Sequence, residues 1–472
     1  MLFILLLCAA APGTAAAKAR TLVASSAADG PRSLSLVVYN QDLALVREVR
    51  TVPRKEGLFE LRFQDVAREL VPNSVLVDTG EELKVLEQCY TYDLLSAGSL
   101  LEHFIGKTVI LERLDKRTNT PEQVEGTLLS LEGGRIVRIG DRIEVDPEGR
   151  FILPEVPANL TDRPTLTWLV QGRSAGQSKV EVSYLTGGMG WRCDYVLSLA
   201  GDSDAGLSAW VTLDNRSGLD YPDCELTLVA GEISRVRQER PMVELMAVRA
   251  AGMSKAADEP RPEGFLREQL QDYYRYTLGR HIDIDNKQSK QVELFGLDRV
   301  KVERRYSLAG GRDFFYGRVA EPSRDLKVAM YLDWINGGGN YPGMPLPAGL
   351  VRIYRREPDG AMFFLGEDRI GHVPQEEKVS IRAGTAFDLT AERRQTEFTK
   401  LSDRLRQATV EITLTNRKKQ DVAVEVEENL PGDWTMLEHS HEYLTIDAGR
   451  IRFSPRVRAG GKTTVKYTIK FM

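Results

Sequence analysis

The sequence predicts a mainly β protein that is built from several antiparallel sheets. The first observation is the stretch from Val180 to Ala230, in which apolar and polar residues alternate through four consecutive segments. Successive side chains of a strand point to opposite faces, so this alternation is typical of half-buried strands. The second observation is that short clusters of Gly, Asp and Asn separate the segments, as turns require. We therefore predict four consecutive strands of one antiparallel sheet in this stretch.

Length and composition are those of a globular protein with several domains. The chain has 472 residues and a formal charge of −5, and its pI is near 5.8. This length corresponds to about three domains. Nucleic-acid binding needs a basic footprint, so the charge balance argues against a nucleic-acid partner. It gives no reason to expect an anionic membrane surface as a partner either.

The N-terminus has the pattern of a secretory signal peptide. The apolar run Leu2–Ala11 is too short to span a bilayer, and small residues follow it. The basic residues that normally precede such a run are missing. We expect residues 1–17 to be removed, so that the exported protein begins near Lys18 and has no transmembrane segment. Lipidation at Cys8 and a disordered apolar tail are the alternatives.

Residues 33–104 form the predicted N-terminal β unit, which ends in a short helix over residues 93–104. Short strands follow between residues 105 and 155, with tight turns at Gly133-Gly134 and Gly140-Asp141. So many strands within so few residues are typical of a small barrel or a curled sheet.

A central β domain is predicted over residues 165–400. Residues 236–264 within it have mixed charge and no regular apolar period, so we expect a mobile insertion there. A short helix is predicted over 265–276. Strands then resume, and two short ones, 379–381 and 387–389, close the domain.

Residues 401–472 are predicted to form a separate immunoglobulin-like sandwich. Val410, Ile412 and Leu414 alternate with polar residues, and a turn separates them from the equally regular run 422–426. Five or more strands at this spacing fit such a module, although the Cys–Trp–Cys pattern of true immunoglobulins is missing.

Signal cleavage would leave three cysteines, Cys89, Cys193 and Cys224, and an odd number excludes a disulfide scaffold. In a simple meander one strand separates Cys193 from Cys224, which places them about 9–10 Å apart. A disulfide needs Cα atoms within about 7 Å. We therefore expect buried free thiols, unless the connection is not a meander.

His439 and His441 are the best metal candidates, because residues i and i+2 of a strand share a face and both imidazoles can meet one zinc ion. No third ligand is close in sequence, and a solvated turn is the competing interpretation. Asp283, Asp285 and Asn286 offer oxygen ligands for calcium. They lack the EF-hand spacing, so a polar turn competes there too.

Arg192, Asp194 and Asp214 lie on the polar sides of the predicted central strands. Paired carboxylates carry out glycoside hydrolysis, whereas alternating charges on a sheet usually form its solvated face. Gly337–Gly339 lacks the Lys and the helix of a phosphate loop, so we expect a hairpin loop. Several aromatic residues either dress a binding groove for glycan or peptide or pack in the core. These are Tyr273, Tyr274, Tyr276, Trp334 and Tyr341.

Several stretches resemble the bacterial family DUF4139. The similar stretches include VSYLTGGMGWRCDYVLSL, LDNRSGLDYPDCELTLVAG and LPAGLVRIYRREPDGAMFFLGEDRIGHVPQEEKVSIRAGTAFDLTAERR, and the most specific parts are Trp191 to Tyr195 and the block from Leu346 to Leu389. VYNQDLALVREVR near the N-terminus and QDYYRYTLGRHIDIDNKQSKQVELF are also similar, so the resemblance covers most of residues 33–472. It implies an extracytoplasmic, β-rich protein without an established activity. Some relatives are mucoidy-inhibitor-like and carry a coiled-coil insertion, which this sequence lacks.

Three classes of function remain. The first is an exported, envelope-associated protein, periplasmic or extracellular, that binds an envelope protein or polymer through sheet edges and loops without catalysis. The second is a hydrolase that acts on an envelope polymer, and the third is a metal- or ion-dependent module. The sequence has no G-x-S-x-G, H-E-x-x-H or G-x-x-x-x-G-K-[ST] motif, which favours the first class. We assign no catalytic, cofactor-binding or metal-binding residue.

Overall fold

Strands make up most of the structure, which is a computed structural model. It describes residues 22–26, 32–91, 95–114, 120–157, 160, 163–231, 265–270, 273–311, 313–337 and 344–472. Within these ranges the fold has a single α-helix, α1, at Ala97–His103, and short 3-10 turns at Pro72–Ser74 and Asp313–Phe315. No helix in the described ranges is long and apolar enough to cross a membrane. The predicted mainly β fold is confirmed.

The strands are numbered in chain order. Those of the first half are β1 (Leu22–Ser26), β2 (Arg32–Tyr39), β3 (Leu43–Arg54), β4 (Gly57–Gln64), β5 (Leu76–Asp78), β6 (Leu83–Thr91), β7 (Thr108–Leu114), β8 (Pro121–Ser130), β9 (Ile136–Ile139), β10 (Arg142–Val145), β11 (Arg150–Ile152), β12 (Thr165–Gly172), β13 (Gly176–Thr186), β14 (Met189–Leu199), β15 (Asp204–Asn215) and β16 (Tyr221–Ala230). Those of the second half are β17 (Phe265–Leu270), β18 (Tyr273–Leu278), β19 (Ile282–Ile284), β20 (Gln288–Lys301), β21 (Glu303–Ala309), β22 (Ser323–Ile335), β23 (Gly349–Arg356), β24 (Met362–Ile370), β25 (Lys378–Lys400), β26 (Arg406–Asn416), β27 (Val422–Asn429), β28 (Trp434–His439), β29 (Tyr443–Asp447), β30 (Arg450–Phe453), β31 (Arg456–Val457) and β32 (Lys462–Phe471).

The described strands form five sheets. Four strands pair in the order β1-β4-β12-β6, and five short ones in the order β10-β9-β8-β7-β11. A larger sheet runs β17-β18-β16-β2-β3-β13-β5 with β19 beside β16, and a fourth runs β20-β15-β14-β23-β24. The largest runs β28-β32-β26-β25-β22-β21-β27-β30-β29, with β31 beside β27.

The prediction of four consecutive strands in one sheet is wrong. All four strands exist, but β13 pairs with β3 and β16 with β2 in one sheet, whereas β14 and β15 pair with each other in another. The apolar sides of the two sheets, including Tyr184 on β13 and Tyr195 on β14, share one buried core. Alternation specifies which face of a strand is buried, and both arrangements satisfy it.

A glycine turn carries the chain from one sheet to the other. Gly188 lies between β13 and β14 with a φ of +72°, a conformation that side chains with a Cβ rarely adopt. A Cβ added there would stand 2.8 Å from the backbone of Arg216, so the turn after β15 leaves no space for one. The two turns therefore pack against each other only because residue 188 is glycine.

The largest sheet folds over a second core. Its residues come from β21, β22 and β25 as well as from the strands of residues 401–472. Phe453 on β30 stacks on Tyr467 on β32 with ring centroids 5.5 Å apart, although five strands lie between β30 and β32 in the order of the sheet. Residues 401–472 therefore share a sheet with earlier strands, and their likeness to an immunoglobulin sandwich stays a prediction.

The two halves of the chain repeat one order of strand pairing. In the first half, β3 pairs antiparallel with both β2 and β13. In the second half, β22 pairs antiparallel with both β21 and β25 in the same way. In each half the last strand then lies parallel to the first, β16 beside β2 and β27 beside β21. In the second half, the single long strand β25 corresponds to both β13 and β14 of the first half. Its first part pairs with β22, as β13 pairs with β3, and its second part pairs with β26, as β14 pairs with β15. We call β2, β3 and β13–β16 the first unit, and β21, β22 and β25–β27 the second unit.

Each unit holds its last turn with a buried asparagine. The turns follow TLDNR in the first unit and TLTNR in the second, and Asn215 and Asn416 are fully buried. In both, Nδ2 donates to the carbonyl oxygen four residues later at 2.9 Å. Oδ1 accepts from the N–H two residues later, at 3.1 Å in the first unit and 2.9 Å in the second. One local device thus closes both units.

Other element predictions have mixed outcomes. The helix expected over 93–104 is present as α1, and Ser96 and Ser99 form its capping box. The helix expected over 265–276 is wrong, because β17 and β18 form a hairpin that pairs with β16. The two short strands expected at 379–381 and 387–389 are parts of the single long strand β25.

The small sheet of β7–β11 curls around its own core of Phe104, Val109, Leu128 and Val137. Residues 1–17 and 236–264, where a signal peptide and a mobile insertion are expected, lie outside the described residues. The domain boundaries stay predictions.

Candidate functional site

The candidate site is a groove at one end of the first unit. Three turns meet there, the turn after β2, the glycine turn after β13 and the turn after β15, and the groove between them has a volume of about 370 Å³. Polar side chains and two glycines line it. The lining residues are Asn40, Asp42, Gly188, Gly190, Trp191, Arg192, Asp214 and Arg216. We call this site the turn groove.

Trp191 forms the floor of the turn groove and is almost wholly buried. Its side chain is in the apolar phase of β14, and the residue is 5% exposed. The indole Nε1 donates to the carbonyl oxygen of Val229 at 3.3 Å. The ring meets Tyr276 edge-on with centroids 6.4 Å apart. The alternation of apolar residues at positions 191, 193 and 195 of the sequence predicts that this side of β14 faces the core, and the structure confirms it. The indole gives the groove a rigid base.

Charged residues beside the groove neutralise one another. Arg192 Nη1 lies 2.6 Å from Asp214 Oδ2. The carboxylate of the nearby Asp194 pairs with Arg352 Nη1 at 3.3 Å and accepts a hydrogen bond from the Thr212 hydroxyl at 3.0 Å. Burial alone would raise the pKa of Asp214, but hydrogen bonding and the charge of Arg192 outweigh it and lower that pKa. The Asp214 carboxylate is therefore held ionised, which suits recognition better than proton transfer.

Arg216 and Asp42 complete the turn groove as exposed charges on its rim. Arg216 follows Asn215 in the turn after β15, and its positive charge adds to the lowering of the Asp214 pKa. Asp42 has a φ of +52° in the turn after β2. The lining thus has two guanidinium groups and two carboxylates, a charge-balanced set that suits polar ligands with hydrogen-bonding groups.

A second polar groove, also of about 370 Å³, lies on the outer face of the second unit. Three of its lining residues, Arg305, Lys378 and Ser380, hold the buried carboxylate of Asp333, which is 3% exposed. Asp333 pairs with Arg305 at 2.7 Å and Lys378 at 2.7 Å, and it accepts the Ser380 hydroxyl at 2.7 Å. Burial favours a higher pKa for Asp333, but these three hydrogen bonds outweigh it and lower the pKa.

The same network continues across neighbouring strands. Arg305 also reaches Glu425 at 3.1 Å, and Arg452 reaches Glu427 at 2.6 Å. The guanidinium of Arg305 covers the ring of Tyr331, 4.4 Å from its centroid. Sequence reasoning missed this groove. The alternating charges of ERRYSL and VEVEEN indicate only which side of each strand faces outward. The charged side chains come together only because five strands pair in one sheet.

Two buried ion pairs lie inside the cores and away from both grooves. Glu48 and Arg50 form a bidentate pair on β3, at 2.6 and 2.8 Å. Arg393 pairs with Glu428, which also accepts the Tyr467 hydroxyl at 2.7 Å. Burial raises the pKa of Glu428 in spite of those two partners. Both pairs are enclosed by strands, so a ligand would not reach them.

The predicted metal candidates have other partners. His439 Nδ1 lies 3.0 Å from the carbonyl oxygen of His441, whose own Nδ1 lies 2.9 Å from the Ser440 hydroxyl. His439 is exposed and His441 is half-buried. Across the described ranges, no three or more His, Cys, Asp or Glu side chains come together as a metal site would need.

The predicted calcium ligands hold turns together. The Asp283 carboxylate accepts the backbone N–H of Asp223 at 2.8 Å. Asn286 Oδ1 accepts the N–H of Gly218 at 3.2 Å, and the Asp285 carboxylate accepts Gln288 Nε2 at 3.3 Å. These contacts agree with the competing interpretation, a polar turn that leads into a strand.

The cysteines and aromatic residues lie mostly in the cores. Cys193 and Cys224 are buried free thiols in different sheets, and burial raises the pKa of each to about 12. Cys89 is free and exposed. Tyr276 and Trp334 are buried. Tyr273 and Tyr274 are half-buried, and residues 338–343, with Tyr341 among them, lie outside the described ranges.

Comparison with known families gives one match. The model of a family described as a domain of unknown function, DUF4139, matches residues 180–433. This range begins in β13 and ends after β27, so it includes the parts of the turn groove from Gly188 to Arg216 but not the turn after β2. No curated protein matches the sequence.

Proposed function

The chain belongs to the DUF4139 family, and we propose that it is an exported, envelope-associated protein that binds an envelope polymer or protein in the turn groove without catalysis. The observation that carries this proposal is the Arg192–Asp214 pair above the floor of Trp191. Proton-transfer catalysis needs a group whose pKa lies near the working pH. The ionised, paired carboxylate beside the groove has a lowered pKa instead, and the buried thiols have pKa values far above neutral.

The charge balance of the groove indicates the ligand chemistry. Two arginines and two aspartates line it together with the amide of Asn40. A polyanion or polycation would meet as much repulsion as attraction there. Hydroxyl and amide groups, as in a glycan or a peptide backbone, find both donors and acceptors.

A retention experiment tests this function. Purified full-length protein is immobilised and incubated with soluble fragments of envelope polymer and, separately, with solubilised envelope proteins. We expect Arg216→Ala to reduce retention of the ligand about tenfold, because a charge-assisted hydrogen bond is worth roughly 1.5–3 kcal/mol. Arg173→Ala, which changes an exposed arginine in another turn, is the matched control.

Two results would contradict the proposal. One is equal retention by the wild type and Arg216→Ala. The other is cleavage of the polymer by the purified protein alone, which would favour the hydrolase alternative. Export is tested separately by N-terminal sequencing of the native protein. We expect a start near Lys18 in an envelope fraction, and an intact Met1 in a cytoplasmic fraction would refute it.

A further inference from the structure

We propose that the free edge of β24 binds an extended apolar segment of a partner protein as an added strand. No residue of this edge lines the turn groove, so the proposal does not depend on that groove. β24 is the last strand in the order β20-β15-β14-β23-β24, so one of its edges pairs with no other strand in the described part of the chain. An open edge offers unpaired N–H and C=O groups to another chain, and natural proteins usually block it with charges, prolines or a covering element.

The first half of this edge is apolar instead of blocked. Met362, Phe363, Phe364 and Leu365 are consecutive and are 44, 55, 56 and 38% exposed. The pairing with β23 shifts at this point, which leaves Leu365 as the extra residue of a β-bulge. A bulge interrupts the alternation of side chains between the two faces of a strand, so both faces of this end of β24 carry apolar side chains. A contiguous exposed apolar group of this kind marks an interaction site more often than a chance exposure.

The second half of β24 is covered by β25. The N–H of Arg382 donates to the carboxylate of Asp368 at 2.6 Å. A Cβ added at Gly366 would stand 3.0 Å from the carbonyl oxygen of Ala383, so the two strands approach closely there. The accessible edge is therefore short and ends where β25 begins to cover it.

The area of the exposed apolar surface indicates whether a single segment or a second copy of the chain binds at this edge. The four side chains expose roughly 400 Å² together, since a side chain of this size presents about 200 Å². Two copies joined through this edge would bury about 800 Å², below the roughly 1,200 Å² where stable specific interfaces begin. A single added strand needs less side-chain area, because main-chain hydrogen bonds supply much of its affinity. The edge fits one extended segment better than a second copy of the chain.

Nearby charge indicates which residues flank that segment. Arg356, directly opposite Met362 in the pairing of β23 with β24, is exposed. Arg369, farther along β24, is also exposed. Neither arginine makes an ion pair with any described residue. A partner segment with alternating apolar residues and acidic flanks would complement this surface.

Fluorescence anisotropy with a short synthetic peptide tests the proposal. The peptide alternates valine and threonine between terminal aspartates, and the full chain is titrated into it. We expect the wild type to bind and Phe363→Lys to bind at least about tenfold more weakly, since a lysine on an edge strand opposes pairing. The matched control is Leu444→Lys, which changes a 62% exposed residue on β29, an edge strand of another sheet.

A second peptide isolates the main-chain contribution. The same sequence with N-methyl groups on alternate amides has no donors along one edge, so we expect it not to bind the wild type. Arg356→Gln should weaken binding of the aspartate-flanked peptide but not of one with neutral ends. Circular dichroism confirms that each variant is folded.

Several results would overturn the proposal. Absence of peptide binding to the wild type is one, and equal binding of the N-methylated peptide is another. Unchanged affinity in Phe363→Lys would also reject it. Sedimentation velocity tests whether a second copy of the chain occupies the edge instead. A wild-type dimer that Phe363→Lys converts to a monomer would show that it does.

Discussion

Trp191 is the residue on which the floor of the turn groove depends. It is 5% exposed and packs against Tyr276, so Trp191→Ala should cost roughly 3–5 kcal/mol of unfolding free energy. Trp210 lies in the opposite phase on β15 and is 37% exposed, so Trp210→Ala should cost clearly less. Denaturant unfolding of both variants measures the difference. Equal costs would mean that the indole of Trp191 is not part of the core.

Asp333 is the residue that organises the polar groove of the second unit. Asp333→Asn would leave Arg305 and Lys378 without their carboxylate, at a cost of roughly 1.5–3 kcal/mol near neutral pH. The pKa of Asp333 is lowered in the folded protein, so its contribution to stability is present above the ordinary aspartate pKa of about 3.9. The contribution is lost as pH falls through the lowered pKa.

The stability difference between wild type and Asp333→Asn should therefore narrow as the pH is lowered below about 4. Urea titrations at several pH values measure it. Asp403→Asn, at an exposed carboxylate in the loop after β25, is the control and should have little effect at any pH. A difference that widens in acid would contradict the assigned direction of the pKa shift.

At the scale of single elements, the asparagine turns should be equivalent in the two units. Asn215→Ala and Asn416→Ala each remove a buried amide and leave backbone groups without partners, which costs roughly 1–3 kcal/mol. Asn40→Ala, at an exposed turn position, should cost less than about 0.5 kcal/mol. Thermal unfolding of the three variants tests this. A large loss in only one unit would show that the two turns differ in their energetic role.

At the scale of the whole molecule, the two cores share strands. On β22, Val328 packs in the second core and Leu332 in the first, and on β25 Leu389 and Ile381 do the same. An element that joins two cores couples their unfolding. We expect Ile412→Ala in the second core, at roughly 2–5 kcal/mol, to lower the protection of the slowest-exchanging amides of β13 by the same free energy.

Hydrogen exchange followed by mass spectrometry measures this coupling segment by segment. Thr413→Ala, on the outer face of the same strand, should leave the exchange of β13 almost unchanged. If Ile412→Ala accelerates exchange only in the second unit, the cores unfold independently and the shared strands do not couple them.

Much of the local structure followed from short-range patterns. The alternation at Trp191, Cys193 and Tyr195 specified the buried face of β14, and the structure buries all three. The helix α1 was predictable from the apolar spacing of residues 93–104. These features depend on neighbours within a few residues, because side-chain direction is fixed by the backbone of the strand or helix itself.

Other features depend on which distant strands pair, and alternation carries no information about that. β13 and β14 have equally regular patterns but belong to different sheets, and β17 and β18 became strands because β16 offered them a free edge. The repeated TL-x-NR turn was a visible signal of the two related units, but its meaning needed the parallel pairs β2–β16 and β21–β27. The sequence by itself determined that the chain forms strands and which faces they bury. Only the tertiary structure decided their partners, the Arg305–Asp333 network and the open edge of β24, because each of these joins residues that are distant along the chain.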